Sequence, residues 1–429
     1  MHKEKRKQLI GILLAFAFIL INYSPQVQNF SKIPVVLKIA EGQSHTLDFR
    51  FPLNVQVKGN NIDVLKLNGN SLKDRAVYNL REPIEIEPIT RGKVKLYFTW
   101  LGIIPIKSME VMIFPRQTLI PGGHSIGVTL YTKGALVVGT SEVTDISGQS
   151  SFPAEDAGII PGDVIVEING QEIQDAEHLS EIVNEYTDTP LDIELIRKGK
   201  KMHVTIEPVQ DFQDKKYRLG MWVRDSTAGV GTMTFYDPKN QTYGALGHAI
   251  TDLDTGALLD VKNGEIMKSE IIDIKLGQKG DPGELKGIFL ENRKVLGNIV
   301  RNTDFGIYGK CYKPIVNPLY QKPIPVGFQS MVHEGKASIL TTLDDGEIKE
   351  YDIEIIRVNR QNIASQKSLI VKVTDPELLK KTGGIVQGMS GSPILQNGRI
   401  VGAITHVFVN DPTKGFGIFI EWMLQQTDF

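Results

Sequence analysis

The chain has 429 residues, with 48 Lys and Arg against 50 Asp and Glu and a formal net charge of −2. That length suits two to four domains, each able to bury its own core, and the balanced charge gives no sign of a nucleic-acid partner. The single cysteine, Cys311, excludes an intramolecular disulfide framework and a Cys-rich zinc site, and reads as a free core thiol.

The first predicted element is a targeting segment, residues 1–24. The basic stretch MHKEKRKQ precedes an uninterrupted apolar run, Leu9 to Ile21. This run is shorter than the ~20 residues of a relaxed spanning helix, which favours a secretory signal over a permanent anchor. No small-x-small cleavage site follows in NYSPQVQ, so retention as an N-terminal anchor stays open. Either way Lys3, Lys5, Arg6 and Lys7 stay on the cytoplasmic side while the rest crosses the membrane. Residues 25–118 then show short alternating or β-branched runs, as in SHTLDFRFPLNVQVKG, broken by turn residues. They predict a small β-sandwich with no convergent set of catalytic residue types, hence a spacer or docking domain.

Over residues 119–210, IPGGHSIGVTLYTKGALVVG followed by SFPAEDAGIIPGDVIVEINGQEI resembles a PDZ domain of the kind attached to bacterial envelope proteases. Ser125, Ile126, Gly127 and Val128 are expected to open its peptide groove, Gly127 permitting a tight loop whose amides face a peptide C-terminal carboxylate. A vestigial groove that only docks on a neighbouring domain is the alternative. After the Asn169-Gly170 turn, Asp175 is the expected N-cap of a helix carrying Leu179, Ile182 and Val183 on one face. His124 and His178 are expected at the surface. A hairpin around Lys198-Gly199-Lys200 closes the domain, and QDFQDKKYR reads as a linker.

From residue 211 to 429, short strands broken by Gly, Pro and Asn-Gly predict an all-β barrel or sandwich pair. Within it, Gly388-Met389-Ser390-Gly391-Ser392-Pro393 looks like the G-x-S-G-G/S-P nucleophile loop of chymotrypsin-like serine peptidases. Small residues let a substrate backbone approach and let the amides of Gly388 and Ser390 converge on a developing oxyanion. The Asn397-Gly398 turn then joins two strands. His248, between Gly247 and Ala249, is the natural base and precedes the serine as in chymotrypsin-type triads; His333 and His406 compete with it. For the acid, Asp252, Asp254, Asp273, Asp304, the Asp344-Asp345 pair and Asp375 are all candidates, and spacing alone does not choose. Met389 stands where digestive peptidases carry an acidic residue, which excludes activation by burying a new N-terminal amine against that acid.

Taken together, the basic apolar leader, the β domain, the single PDZ domain and the terminal LGHAITD…GMSGSPI domain resemble the stage IV sporulation protein B peptidases of endospore-forming bacteria. The resemblance implies a mainly β, multidomain fold ending in a chymotrypsin-like double β-barrel, with His248, Asp375 and Ser390 as triad and no metal or cofactor. It implies a forespore-made enzyme that crosses the inner forespore membrane into the space between the forespore membranes and cleaves itself. The enzyme would then cut the regulatory subunit of a membrane metalloprotease complex, so that a late mother-cell sigma factor is processed, with the PDZ domain binding peptide C-termini. Asp375 lies only fifteen positions before Ser390, whereas the usual triad acid sits about midway between base and nucleophile, so a role in orienting the loop or the substrate stays open. Two other readings are an inactive PDZ-containing envelope adaptor and a scaffold whose function survives loss of Ser390.

Overall fold

The computed structural model describes residues 35–427 apart from 50–53, 62, 73–76, 187–188, 253, 289–294, 345 and 362, together with isolated positions before 35. The targeting segment lies almost wholly outside the described residues, and so does Asp345. Among the described residues no helix is long and apolar enough to cross a membrane.

Residues 1–117 and 328–331 form one unit. Its strands bury alternate residues, as expected where one sheet face meets a core: in Gly92–Trp100, Val94, Leu96 and Phe98 are buried while Lys93, Lys95 and Tyr97 are exposed. A five-stranded sheet (Val36–Ala40, Ile104–Phe114, Gly92–Trp100, Asn54–Gly59, Val77–Asn79) and a four-stranded one (His45–Leu47, Ile84–Pro88, Leu65–Leu67, Asn70–Ser71) supply a single core that includes Ile39, Phe49, Val55, Leu65, Ile86 and Phe98. This is the expected β-sandwich.

The second unit, 118–327 with 332–429, contains, after the short strand Thr118–Pro121, β1 (Ser125–Thr140), β2 (Val164–Ile168), helix α1 (Ala176–Glu185), β3 (Leu191–Arg197), β4 (Lys200–Ile206) and the seventeen-residue β5 (Met221–Asp237). Their sheet order is β4-β3-β2-β1-β5. The PDZ core gathers Ala135, Val137, Ile165, Leu191 and Ile193 with Leu179, Ile182 and Val183, the predicted face of α1. Asp175 caps that helix, its carboxylate accepting the N–H of His178 at 2.8 Å. Asp163, fully buried, holds Arg197 by two bonds of 2.7 Å. The expected linker is instead a small ordered hairpin, Val209–Gln210 against Tyr217–Arg218, because the Asn184 side chain bonds both the N–H and the carbonyl of Tyr217.

β1 and β5 do not stop at the PDZ domain. β1 bends at Gly134, where φ is +82° and a Cβ would lie 2.2 Å from the Ile165 carbonyl oxygen, so only glycine fits. On the N-terminal side of that bend β1 enters a second curled sheet, paired with β5 on one edge and β7 (Val261–Lys268) on the other; β6 (Thr242–Ala245) extends the sheet from β5. The hairpin β8 (Glu270–Lys275) and β9 (Glu284–Ile288) follows, and β10 (Gly306–Lys310) pairs with β6. Ile126, Met233, Tyr243, Ile266 and Ile307 fill this first barrel-like layer. Cys311 lies there as a buried free thiol, its pKa pushed up to about 12 by burial.

The chain ends in a closed barrel, order β11 (Gly335–Thr342), β12 (Ile348–Val358), β13 (Leu369–Val373), then β16 (Asp411–Phe419), β15 (Arg399–Phe408) and β14 (Pro393–Gln396). Between β13 and β14 lies the short helix α2 (Pro376–Thr382). Asn397 and Gly398, both at positive φ, make the predicted turn between β14 and β15.

Candidate active site

After β6 the backbone reverses within three residues. Leu246 has φ +68° and Gly247 φ +72°, and the Gly247 N–H donates to the Ala245 carbonyl at 2.8 Å. Such a γ-type turn at a non-glycine residue is strained. It delivers His248 to a cleft of about 1070 Å³ also lined by Ser390, Thr405, His406, Asp304 and Gln366. Leu285, Ile385, Val386 and Val407 add an apolar wall.

The serine loop is pinned from several directions. Leu285 N–H donates to the Gln387 carbonyl (2.8 Å), Thr232 Oγ1 to the Gly388 carbonyl (2.8 Å), and Ser392 N–H to the Met389 carbonyl (3.0 Å). Thr232 N–H takes the Ser390 carbonyl at 3.0 Å. Gly391 has φ +96°, and a Cβ there would lie 2.0 Å from the Thr232 carbonyl oxygen, so this glycine permits the contact between the first-barrel strand and the loop. Met389 is fully buried in the second-barrel core. Among the described residues the N–H groups of Gly388 and Ser390 donate to no protein acceptor, which leaves both for a ligand oxygen.

The structure brings His248 and Ser390 into one cleft, but each holds a main-chain carbonyl rather than the other. Ser390 Oγ donates to the Thr405 carbonyl at 2.7 Å, and His248 Nδ1 lies 2.7 Å from the Ala249 carbonyl. Burial holds the His248 imidazole below its ordinary 6.5, although the bond to Ala249 opposes the shift. The His406 ring stands beside it, centroids 4.9 Å apart. Its pKa falls to about 4, through burial first and then the neighbouring charges of His248 and Lys367. Both rings are therefore neutral at pH 7, as a general base must be.

The carboxylates separate clearly. Asp375 does not line the cleft. It is the N-cap of α2: its Oδ1 accepts the N–H groups of Glu377 (2.9 Å) and Leu378 (3.0 Å), and its Oδ2 that of Asp352 (3.3 Å). Ile370 and His406 share Phe416 as strand neighbour. β13 ends at Val373, three positions beyond Ile370 and about 10 Å along the strand at ~3.3 Å per residue, and Asp375 follows two residues later. Asp252 and Asp254 are engaged by Arg224, Asp273 by Lys286 and Asp344 by Lys381. Among the described candidates, Asp304 is the one aspartate that lines the cleft. Its main-chain carbonyl accepts Gln366 Nε2, the Gln366 carbonyl accepts Thr405 Oγ1 (3.4 Å) and the Thr405 carbonyl accepts Ser390 Oγ, a series that runs through main-chain oxygens and not through the Asp304 carboxylate. His333 sits elsewhere, against Asn397 and the Glu334 carbonyl.

The expected PDZ loop is differently built. Its four residues are all buried: Ser125 opens β1 and pairs with β5, while Ile126, Gly127 and Val128 pair with β5 on one edge and β7 on the other, so their amides cannot line an open peptide groove. His124 is likewise not a surface group but is half-buried, its Nε2 3.0 Å from the Val316 carbonyl. Among the described residues the PDZ sheet instead leaves one edge of β5 at Met221–Arg224 without a strand partner, next to Asp225, whose carboxylate accepts the Ala176 N–H of α1. The sequence signal for this edge is Leu219-Gly220-Met221, with Gly220 at φ +65°.

Comparison with known proteins decides what this cleft belongs to. The model of the SpoIVB peptidase S55 family matches residues 215–424, and that of a PDZ domain matches 150–197. Residues 215–424 belong to the SpoIVB peptidase S55 family. The S55 domain and its cleft make this chain a serine peptidase carrying a PDZ domain. Among solved structures, the active form of the Rv3671c protease from M. tuberculosis is similar at 13% identity and TM-score 0.26, over 47% of this chain and 73% of that one. The HtrA-type protease AlgW with decapeptide is similar at 10% identity and TM-score 0.27, over 47% and 52%.

Proposed function

We propose that this S55 peptidase is a sporulation endopeptidase that cleaves itself and then the regulatory subunit of a membrane metalloprotease complex, after export across the inner forespore membrane. The observation that carries the chemistry is the single cleft holding Ser390, His248 and the two unpartnered amides of Gly388 and Ser390. In the acylation step His248 turns from Ala249 and takes the Ser390 proton as Oγ attacks the scissile carbonyl carbon. The two amides receive the developing oxyanion, and the imidazolium then protonates the leaving amine. Water, deprotonated by the same imidazole, hydrolyses the acyl-enzyme. The family resemblance implies Asp375 as the acid; Asp304, which lines the same cleft as His248, is the alternative, with Asp375 then acting on the barrel through the α2 cap. The free β5 edge beside α1 is the place for an extended peptide C-terminus, added as a strand.

The test is to purify the full chain beside Ser390→Ala and follow self-cleavage. Fragments from the wild type and none from the variant are expected; equal fragmentation with contaminating proteases excluded refutes the proposal. The rival reading, an inactive envelope adaptor, requires that Ser390 fail to react with a serine-directed fluorophosphonate.

A further inference from the structure

We infer that Thr232, in β5 of the first barrel, is the positioning residue that sets the oxyanion hole in the serine loop of the second. This rests on the reading of Ser390 as nucleophile. Thr232 is buried and grips the loop twice: its hydroxyl donates to the Gly388 carbonyl at 2.8 Å and its N–H to the Ser390 carbonyl at 3.0 Å. Because a trans peptide is planar with N–H and C=O opposed, fixing a carbonyl also fixes the amide on the far side of that plane. The Gly388 N–H shares a plane with the Gln387 carbonyl, held by Leu285; the Ser390 N–H shares one with the Met389 carbonyl, held by Ser392. The plane between these two, Gly388 to Met389, sets the angle at which the two donors face each other. It is clamped by the Thr232 hydroxyl and by the Met389 N–H bond to the Val386 carbonyl at 3.1 Å. Once the hydroxyl is gone that plane is held at its N–H end alone, by the Met389 bond to Val386, and glycine at 388, with φ +93°, lets its carbonyl end tilt about that bond. The Thr232 N–H bond survives any non-proline substitution, so a side-chain change removes the hydroxyl bond and leaves the backbone grip in place.

The experiment compares wild type, Ser390→Ala, Thr232→Val and Thr232→Ser as full chains, reading turnover of an activated p-nitrophenyl ester together with the denaturant midpoint. Loss of one oxyanion donor outright lowers kcat by about 10²–10³. A misaligned donor should lower it by about 10- to 100-fold in Thr232→Val, with KM unchanged, whereas Thr232→Ser, which keeps the hydroxyl, should stay within about threefold of wild type. A merely structural role would move the midpoint and the amount of active protein, not kcat per titrated site at constant KM. Should Thr232→Val not fold, Thr232→Ala, which also lacks the hydroxyl, takes its place. Wild-type turnover by the hydroxyl-free variant, or equal loss in the Ser and Val variants, overturns the clamp while Ser390 stands. Turnover that survives Ser390→Ala overturns the nucleophile assignment and the clamp with it.

Discussion

Replacing Asp375 separates a helix cap from a catalytic acid. Its carboxylate accepts three backbone N–H groups, two of them from the first turn of α2. Asparagine is about as good an N-cap as aspartate, whereas alanine forfeits about 1 kcal/mol, within a range of roughly 0.5–2. Asp375→Asn keeps the two cap bonds through its amide oxygen and loses the 3.3 Å bond from the Asp352 N–H, so it should lower the denaturant midpoint less than Asp375→Ala does and keep the rate of self-processing within about threefold. Asp375→Ala should lower the midpoint by that cap energy and lose activity only as far as the fold loosens. If Asp375 oriented His248, Asp375→Asn would leave the fold intact and cost on the order of 10⁴ in turnover, so the two readings differ by more than three decades in one assay. Asp304→Asn, assayed in parallel, should carry the larger loss. A fall near 10⁴ in Asp375→Asn with an unchanged midpoint would refute the cap reading and return the acid's role to Asp375.

Ser390→Ala and His248→Ala should each abolish self-processing with the fold intact, because triad members act as a unit; residual processing above a tenth of wild type in either, with the same product ends, would count against the assignment. Burial holds His248 below 6.5, so the acid limb of kcat/KM should be centred below pH 6.5, and a limb centred above it would contradict the buried-base geometry. For His406 the folded pKa of about 4 lies below the unfolded one. The unfolded chain thus takes up the proton first, and stability should fall as pH drops from about 6.5 towards 4. Removing the neighbouring charge in His248→Ala should raise the His406 pKa, as read by NMR titration; an unchanged value would sink that coupling. In the PDZ part, a Cβ at Gly220 would lie 2.6 Å from the Ser141 carbonyl oxygen at φ +65°. Gly220→Ala should therefore weaken C-terminal peptide binding by about tenfold or more, since such strain is worth roughly 1–3 kcal/mol, and leave fluorophosphonate labelling of Ser390 in place. Unchanged peptide affinity would mean that the β5 edge is not the groove.

The parts of the fold legible in the sequence are those whose cause is local. Asn169-Gly170 and Asn397-Gly398 are turns because both residues of each pair sit at positive φ, which few residue types tolerate. Asp175 caps α1, and the run of Leu179, Ile182 and Val183 faces the PDZ core, because helix period and capping chemistry are written within one turn of chain. Gly388 to Pro393 was legible for the same reason: the close approach of Gly391 to Thr232 and the free amides of Gly388 and Ser390 all demand small residues beside the serine.

What the sequence hides depends on partners far along the chain. Ser125–Val128 looks like a glycine loop, yet glycine in a strand equally marks a site where another backbone comes close, and here β5 and β7 flank it on both edges. β1 runs from the first barrel into the PDZ sheet and β5 runs back, each as one unbroken strand, so the polar residues at the crossing, Lys133 in β1 and Arg224 to Thr227 in β5, do not mark a linker. Thr232 is separated from Gly388 by 156 positions and Asp304 from Gln366 by 62; no spacing rule reaches so far. A mechanical consequence follows from this continuity. The strand whose free edge at Met221–Arg224 faces α1 also carries Thr232, which grips the nucleophile loop, within the span of β5. A peptide added to that edge would stiffen the strand that holds Ser390. Addition of a C-terminal peptide should therefore change the rate of Ser390 acylation by a small activated ester in the wild type and leave it unchanged in Gly220→Ala. An equal response in both proteins would show that the groove and the cleft are joined by chain alone.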